Sequence, residues 1–328
     1  MPLAVRSIPI LLALAFGFAI GRIVPVASSL AAVSPSRGDP SGGDRNAARV
    51  VRSASAASSK CSVDSLDPVL PVLSVKPCLE GWPPASGARS FVDIVKANGA
   101  TGLATDKAPN AYFTRWTPHV YNTLYQRWLA PLRGTNVRFL EIGLGCDMPS
   151  GVGASVPLWR EYMGPCMKFT SMEFDGPCAE KFRDRVDALF VGDQSSLADL
   201  HRVSAGGPYD VIVEDGGHTM KQQITTLRTM LPLLPPGGLF FMEDIHTSFQ
   251  RGFHDLPNGV TAARFLADVV AALHQRGVET PASLVGKDGL LEGAAEIARL
   301  ITSIDCVREA CVLVRNGEPA ADVRSGAS

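Results

Sequence analysis

From about residue 109 onward the chain shows short β-rich runs, each followed by a longer stretch in which apolar positions recur every three or four residues. Short runs rich in Val, Ile and Phe read as strands buried on both faces, and the longer spacing reads as amphipathic helices. Five runs qualify: VRFLEIG (137–143), MKFTSME (167–173), ALFVGD (188–193), YDVIVED (209–215) and GLFFMED (238–244). Between them lie ASVPLWREYM, GPCAEKFRDRVD, SSLADLHRV and HTMKQQITTLRTMLPLL, the last stopped by Pro235, Pro236, Gly237 and Gly238, and TAARFLADVVAALHQRG follows the fifth run. Strands and helices in alternation predict an α/β doubly wound fold with a mostly parallel sheet. The segment ARLITSIDCVREACVLVRN has two strand-like halves around a polar turn, which predicts an antiparallel C-terminal hairpin.

In open α/β sheets the ligand sits outside the carboxyl ends of the strands, where strand order reverses. All five runs end there in acid: Glu141, Glu173, Asp193, Glu214 with Asp215, and Glu243 with Asp244. One such acid is an ordinary solvated strand end, but five together mark a site. The first is followed by FLEIGLGCDMPSGVGAS, in which Gly143 and Gly145 permit a sharp turn and close approach of a ligand to the backbone. Glu141 would repel a pyrophosphate but attract the ammonium of an amino-acid moiety, which favours S-adenosylmethionine over NAD as the ligand. Glu173 stands where a carboxylate accepts the hydroxyls of a ribose. Asp193 suits the exocyclic amine of adenine or, equally, the cap of the helix at SSLADL.

The stretch VIVEDGGHTM supplies the second half of the site. If the fourth and fifth strands are neighbours, Asp215, Glu243 and Asp244 converge, and three carboxylates repel one another unless a cation lies between them. An all-oxygen set suits Mg²⁺ or another hard divalent cation. His218 follows Asp215 by three residues, beyond two glycines that let the chain fold back, and is placed to act as general base.

FLEIGLG, ASVPLWREYM, VGDQSS, YDVIVEDGGHTMKQQ, LPPGGLFFMEDIHTSF and the closing hairpin together give the region from Thr105 to Arg315 a family likeness. It resembles the metal-dependent class I O-methyltransferases that modify sugar hydroxyls, the macrolide-glycoside enzymes of the mycinamicin and macrocin type. The resemblance implies a Rossmann-like class I methyltransferase fold, S-adenosylmethionine as donor, a divalent ion on Asp215, Glu243 and Asp244, and His218 as base. It also implies that residues 105–129, opened by Thr105, Asp106 and Lys107, cover the donor with Tyr121 beside it, and that 246–259, with His246 and His254, meet the acceptor. The loop CDMPSGVG is poorer in glycine than the family's. Rival readings are methylation of a catechol-like diol, an NAD-dependent oxidoreductase, and a membrane-tethered binding module that keeps the fold without the chemistry.

A formal net charge of -1, with no Lys/Arg stripe, argues against nucleic acid as a partner. A small-molecule or glycan hydroxyl is the expected acceptor, and a homo-oligomer is compatible with the sequence. Residues 1–33 carry two apolar runs broken by Arg22 and read as a signal peptide or a membrane anchor; 34–60 read as a flexible stem, 61–108 as an N-terminal extension, 109–316 as the methyltransferase domain and 317–328 as a disordered tail. That layout predicts a type II membrane protein of the secretory pathway, in the Golgi or endoplasmic-reticulum lumen, or a secreted or organellar protein after cleavage. Seven cysteines fit such a setting, with Cys61–Cys78, Cys166–Cys178 and Cys306–Cys311 as expected disulfides and Cys146 left over.

Overall fold

The computed structural model describes residues 73–78, 88–148, 151–275, 291 and 293–317. The segments expected to be an anchor and a stem, and Cys61, lie outside the described residues.

Helix α1 (Phe91–Ala100) begins at Ser90, whose hydroxyl caps the helix by accepting the Asp93 amide. Phe91, Ile94 and Val95 form its buried face, and the Phe91 ring packs on Tyr125, Trp159 and Tyr162 at centroid distances of 5.3, 5.6 and 5.2 Å. After α2 (Asn122–Leu129) the alternation begins: β1 (Arg138–Ile142), α3 (Ser155–Met163), β2 (Lys168–Glu173), α4 (Gly176–Ala179), β3 (Ala188–Val191), α5 (Leu197–Ala205), β4 (Val211–Glu214), α6 (Met220–Met230), β5 (Leu239–Met242), α7 (Ala262–His274) and α8 (Ala294–Leu300). The hairpin of β6 (Ile301–Val307) and β7 (Ala310–Arg315) closes the chain.

One expected helix is shorter than its sequence suggests. GPCAEKFRDRVD forms four α-helical residues and then a 3-10 turn over Glu180–Arg185, because Phe182 is the one large apolar side chain that this charged stretch can bury.

The strands form one seven-stranded sheet in the order β3-β2-β1-β4-β5-β7-β6, parallel from β3 to β5, with β7 and β6 added antiparallel. Both faces are covered, as the continuous apolar runs require. Phe139, Phe169, Val213 and Phe241 face α1, α2 and α3, whereas Leu140, Ile142, Ile212 and Met242 face α5, α6 and α7. The order reverses between β1 and β4, so the loops that leave these two strands and β2 and β5 surround one crevice.

The disulfides differ from expectation in two of three cases. Cys78 pairs with Cys166 and Cys146 with Cys178, while Cys306–Cys311 crosses the β6–β7 hairpin as expected. Pairing follows tertiary proximity: the antiparallel bridge Pro77–Thr135 carries Cys78 to the end of α3, and the loop after β1 lies against the start of α4. No helix among the described residues is long and apolar enough to cross a membrane.

Candidate active site

The loop after β1 is bound closely to the loop after β4. Gly143 has φ +101°, and a side chain there would run into the Asp215 carbonyl, so only glycine serves. Gly216 stands in similar contact with the Gln194 side chain, whose amide oxygen accepts the Gly217 N–H at 3.1 Å. These close approaches leave a cavity of about 290 Å³, near the lower limit of the roughly 300–1,000 Å³ usual for small-molecule sites. Gly143, Gly145 and Asp147 line one wall, Glu173 and Phe174 a second, and Gln194 with Asp215 a third.

Of the residues expected at a donor, Gly143, Gly145 and Glu173 line this cavity and Glu141, Asp193 and Tyr121 do not. Glu173 accepts the amides of Leu144 at 2.8 Å, Phe174 at 2.8 Å and Asp175 at 3.0 Å, which ties the ends of β1 and β2 together. Glu141 is fully buried beneath α3, where it accepts Ser155 Oγ at 2.7 Å and Trp159 Nε1 at 2.8 Å. Burial pushes its carboxyl up to about 7, against the pull of Lys107, Trp159 and Ser155. Asp193 turns back to the Ser195 amide and hydroxyl, and the helix cap expected of it belongs to Ser196. Tyr121 lies at the second half of the site, where it donates to Asp244 Oδ1 at 2.6 Å.

At the ends of β4 and β5, Asp215, His218 and Asp244 each offer one ligand atom, all within 4.8 Å of one another. His218 Nε2 is 3.2 Å from Asp244 Oδ2 and 3.9 Å from Asp215 Oδ1, and its Nδ1 is buried without a hydrogen-bond partner among the described residues. Burial by itself would lower the affinity of the imidazole for a proton, but Asp244, Asp215 and Glu214 raise it above an ordinary histidine's. His218 and Asp244 both hold left-handed backbone, φ +59° and +53°, and strained geometry of this kind persists where surrounding contacts enforce it. Burial would also push the Asp244 carboxyl up; His218, His119 and Tyr121 more than reverse that and hold it low.

Glu243 departs from the expected metal set. Both of its oxygens accept Lys107 Nζ, at 2.9 and 2.8 Å, and Oε1 also accepts the Tyr125 hydroxyl. The same ammonium contacts Asp215 Oδ2 and lies 3.9 Å from Glu141. Lys107 is 2% exposed, and although burial would lower its pKa, Asp215, Glu243 and Glu141 hold it well above that of a free lysine. Three strand-end acids thus share an internal cation, and Glu243 is its bidentate partner. The segment that delivers Lys107 is shaped by Asn110, which bonds the Thr105 and Ala108 carbonyls and the Tyr112 and Phe113 amides. Sequence names Lys107 only as an opening residue of the segment expected over the donor and singles out neither His119 nor Tyr125, although five acidic strand ends in one crevice do call for a nearby cation. Of the two histidines in the loop after Asp244, His246 Nδ1 is 3.6 Å from Asp244 Oδ1, and His254 is bound to the Ser248 carbonyl.

Over 184 residues the chain is 33% identical to the 8-demethyl-8-alpha-L-rhamnosyl tetracenomycin-C 2'-O-methyltransferase of Streptomyces olivaceus, which covers 54% of this chain and 46% of that one. Over 148 residues it is 30% identical to the mycinamicin VI 2''-O-methyltransferase of Micromonospora griseorubida, covering 44% and 35%. The chain is similar to sugar O-methyltransferases. It spans less than half the length of these curated relatives. No protein-family model matches the sequence. Among solved structures, the MycE methyltransferase of the mycinamycin biosynthetic pathway, in complex with Mg and SAH, superposes with TM-score 0.55 and 21% identity, over 70% of this chain and 55% of that one. The fold is therefore the Rossmann-like class I methyltransferase fold, with its C-terminal hairpin antiparallel.

The relatives overturn the expected location in the Golgi or endoplasmic-reticulum lumen. They come from Streptomyces and Micromonospora, bacteria without those compartments.

Proposed function

We propose that the chain transfers a methyl group from S-adenosylmethionine to a sugar hydroxyl, on a glycosylated small molecule or a glycan, with the help of a divalent cation such as Mg²⁺. The observation that carries this reading is the double placement of Asp215, which lines the donor-sized cavity and also belongs to the group with His218 and Asp244. A ligand in the cavity and an acceptor at the carboxylates would meet there.

The residues divide the work. The Gly143 turn admits the donor to the backbone, and Glu173, with lone pairs beyond its three amide bonds, receives the ribose. Asp215 and Asp244 present oxygen ligands that fit Mg²⁺, which commonly takes one or two protein carboxylates and leaves positions for substrate. The metal, when bound, supplies polarisation of the acceptor hydroxyl. His218 takes the hydroxyl proton at Nε2, the nitrogen that faces Asp244. Lys107 neutralises Glu243 and contacts the other oxygen of Asp215. Positioning and electrostatics carry the rate, with no covalent enzyme intermediate.

The test has two stages. S-adenosylmethionine, with NAD as the control, is titrated calorimetrically into the protein with and without Mg²⁺; methyl transfer from labelled donor to glycosides is then assayed for wild type and Asp215→Asn. Donor binding, metal-dependent transfer and at least a hundred-fold loss in the variant are expected. Full activity of Asp215→Asn, or its independence of metal, would remove the proposal.

A further inference from the structure

The hairpin that closes the sheet also reaches the site. Its turn places Glu309 at φ +71°, and the Glu309 carbonyl accepts the amide of Ile245, the residue after Asp244, at 2.9 Å. The disulfide Cys306–Cys311 crosses the same hairpin next to that turn. From there the Glu309 carboxylate accepts His119 Nδ1–H at 2.6 Å, which leaves His119 Nε2 3.4 Å from Asp244 Oδ1. The His119 ring is stacked on Tyr121, 4.5 Å between centroids and 7° between planes, and Tyr121 donates to the same Oδ1. One oxygen of Asp244 is therefore held by Tyr121, whose ring is backed by the stacked His119, and Oδ2 is left facing His218.

We propose that Glu309 is a positioning residue: through His119 it sets the orientation of Asp244, so that Asp244 Oδ2 stands with Asp215 to hold the cation beside His218. The inference rests on the metal reading of the proposed function. A ligating carboxylate needs partners on its other oxygen to hold its rotamer, and losing such a partner typically costs 10- to 100-fold in metal affinity. Glu309 is 65 positions from Asp244 in sequence and carries none of the chemistry itself, which is why no motif marks it.

The experiment is a titration of Mn²⁺ alone into the full chain, read by electron paramagnetic resonance of the free ion, without donor or acceptor. Glu309→Gln should weaken Mn²⁺ binding about ten-fold, and Glu309→Asp should recover part of the loss. His119→Asn should weaken binding too, and the double variant Glu309→Gln/His119→Asn should bind no worse than His119→Asn, because both act along one path. Arg308→Ala, at the exposed neighbour in the same turn, should bind Mn²⁺ within two-fold of wild type, which separates positioning from loss of the hairpin. Equal affinity of wild type and Glu309→Gln, additive losses in the double variant, or an equal loss in Arg308→Ala would overturn the inference alone. Absence of Mn²⁺ binding by wild type would overturn the metal reading together with it.

Discussion

Replacing Lys107 by Met tests the view that an internal ammonium and a divalent cation divide one set of carboxylates. Met keeps much of the side chain's length and removes the charge, leaving Glu243, Asp215 and Glu141 without the cation that contacts all three. Removing one member of a buried charge set typically costs about 3–5 kcal/mol, since the remaining charges stay buried and unpaired. In a domain of this size 1 kcal/mol corresponds to roughly 2–4 °C in Tm, so in EDTA the variant should melt about 10 °C below wild type. An ion that can enter the vacated all-oxygen space should return part of this, about 2.7 kcal/mol at a concentration a hundred times its Kd. The assay is thermal unfolding by circular dichroism in EDTA and in saturating MgCl₂. Mg²⁺ should raise the Tm of the variant more than that of wild type. A variant within 2 °C of wild type in EDTA would show that the carboxylates do not depend on Lys107, and equal Mg²⁺ shifts would show that ammonium and ion do not compete for Asp215.

The Cys146–Cys178 disulfide joins the two loops that line the donor cavity, next to Gly145 and Asp147 on one side and three residues after Asp175 on the other. Cys146→Ser/Cys178→Ser should therefore lower stability by roughly 3–4 kcal/mol in the chain-entropy account and weaken donor binding at least five-fold by calorimetry; unchanged donor affinity would show that the loops hold their places without it. Glu141 yields a pH prediction: burial lifts its carboxyl from 4.5 to about 7, so between those values the folded chain holds the proton that the unfolded chain has lost, and stability falls as pH rises. A gap of about 2.5 pH units at about 1.4 kcal/mol each makes the cost about 3 kcal/mol by pH 8, and Glu141→Gln, which cannot ionise, should gain that much on wild type between pH 4.5 and 8 in urea unfolding. A stability difference that stays flat across that range would contradict the assignment.

The strands were legible because each is a short β-rich run with acid at its end, and the observed β1 to β5 lie inside the expected ranges. The convergence of Asp215, His218 and Asp244 was legible for the same reason, since they adjoin strand ends whose pairing the alternation implies. Helix α1 was missed although Ser90 followed by Asp93, with Phe91, Ile94 and Val95 at helical spacing, carries its signal; it was hidden among Pro- and Gly-rich neighbours. The pairing of Lys107 with Glu243 and two of the three disulfides were not legible, on different grounds. Which carboxylate a lysine takes, and which cysteine lies nearest another, depends on distances across 136 and 88 positions of chain, and local pattern contains neither.

The site's electrostatics follow from that division between local and distant. Local sequence concentrates acid at the ends of β1, β4 and β5, and the fold then has to neutralise it. It does so in two layers: Lys107, carried in by the segment before α2, satisfies Glu243 and the inner oxygen of Asp215, while Tyr121, backed by the stacked His119, holds the far oxygen of Asp244. What remains unsatisfied is the space between Asp215 Oδ1, Asp244 Oδ2 and His218, at the edge of the donor cavity. Gathering carboxylates at a single point is costly for folding, and on the proposed function a cation and an acceptor hydroxyl are the groups that complete it.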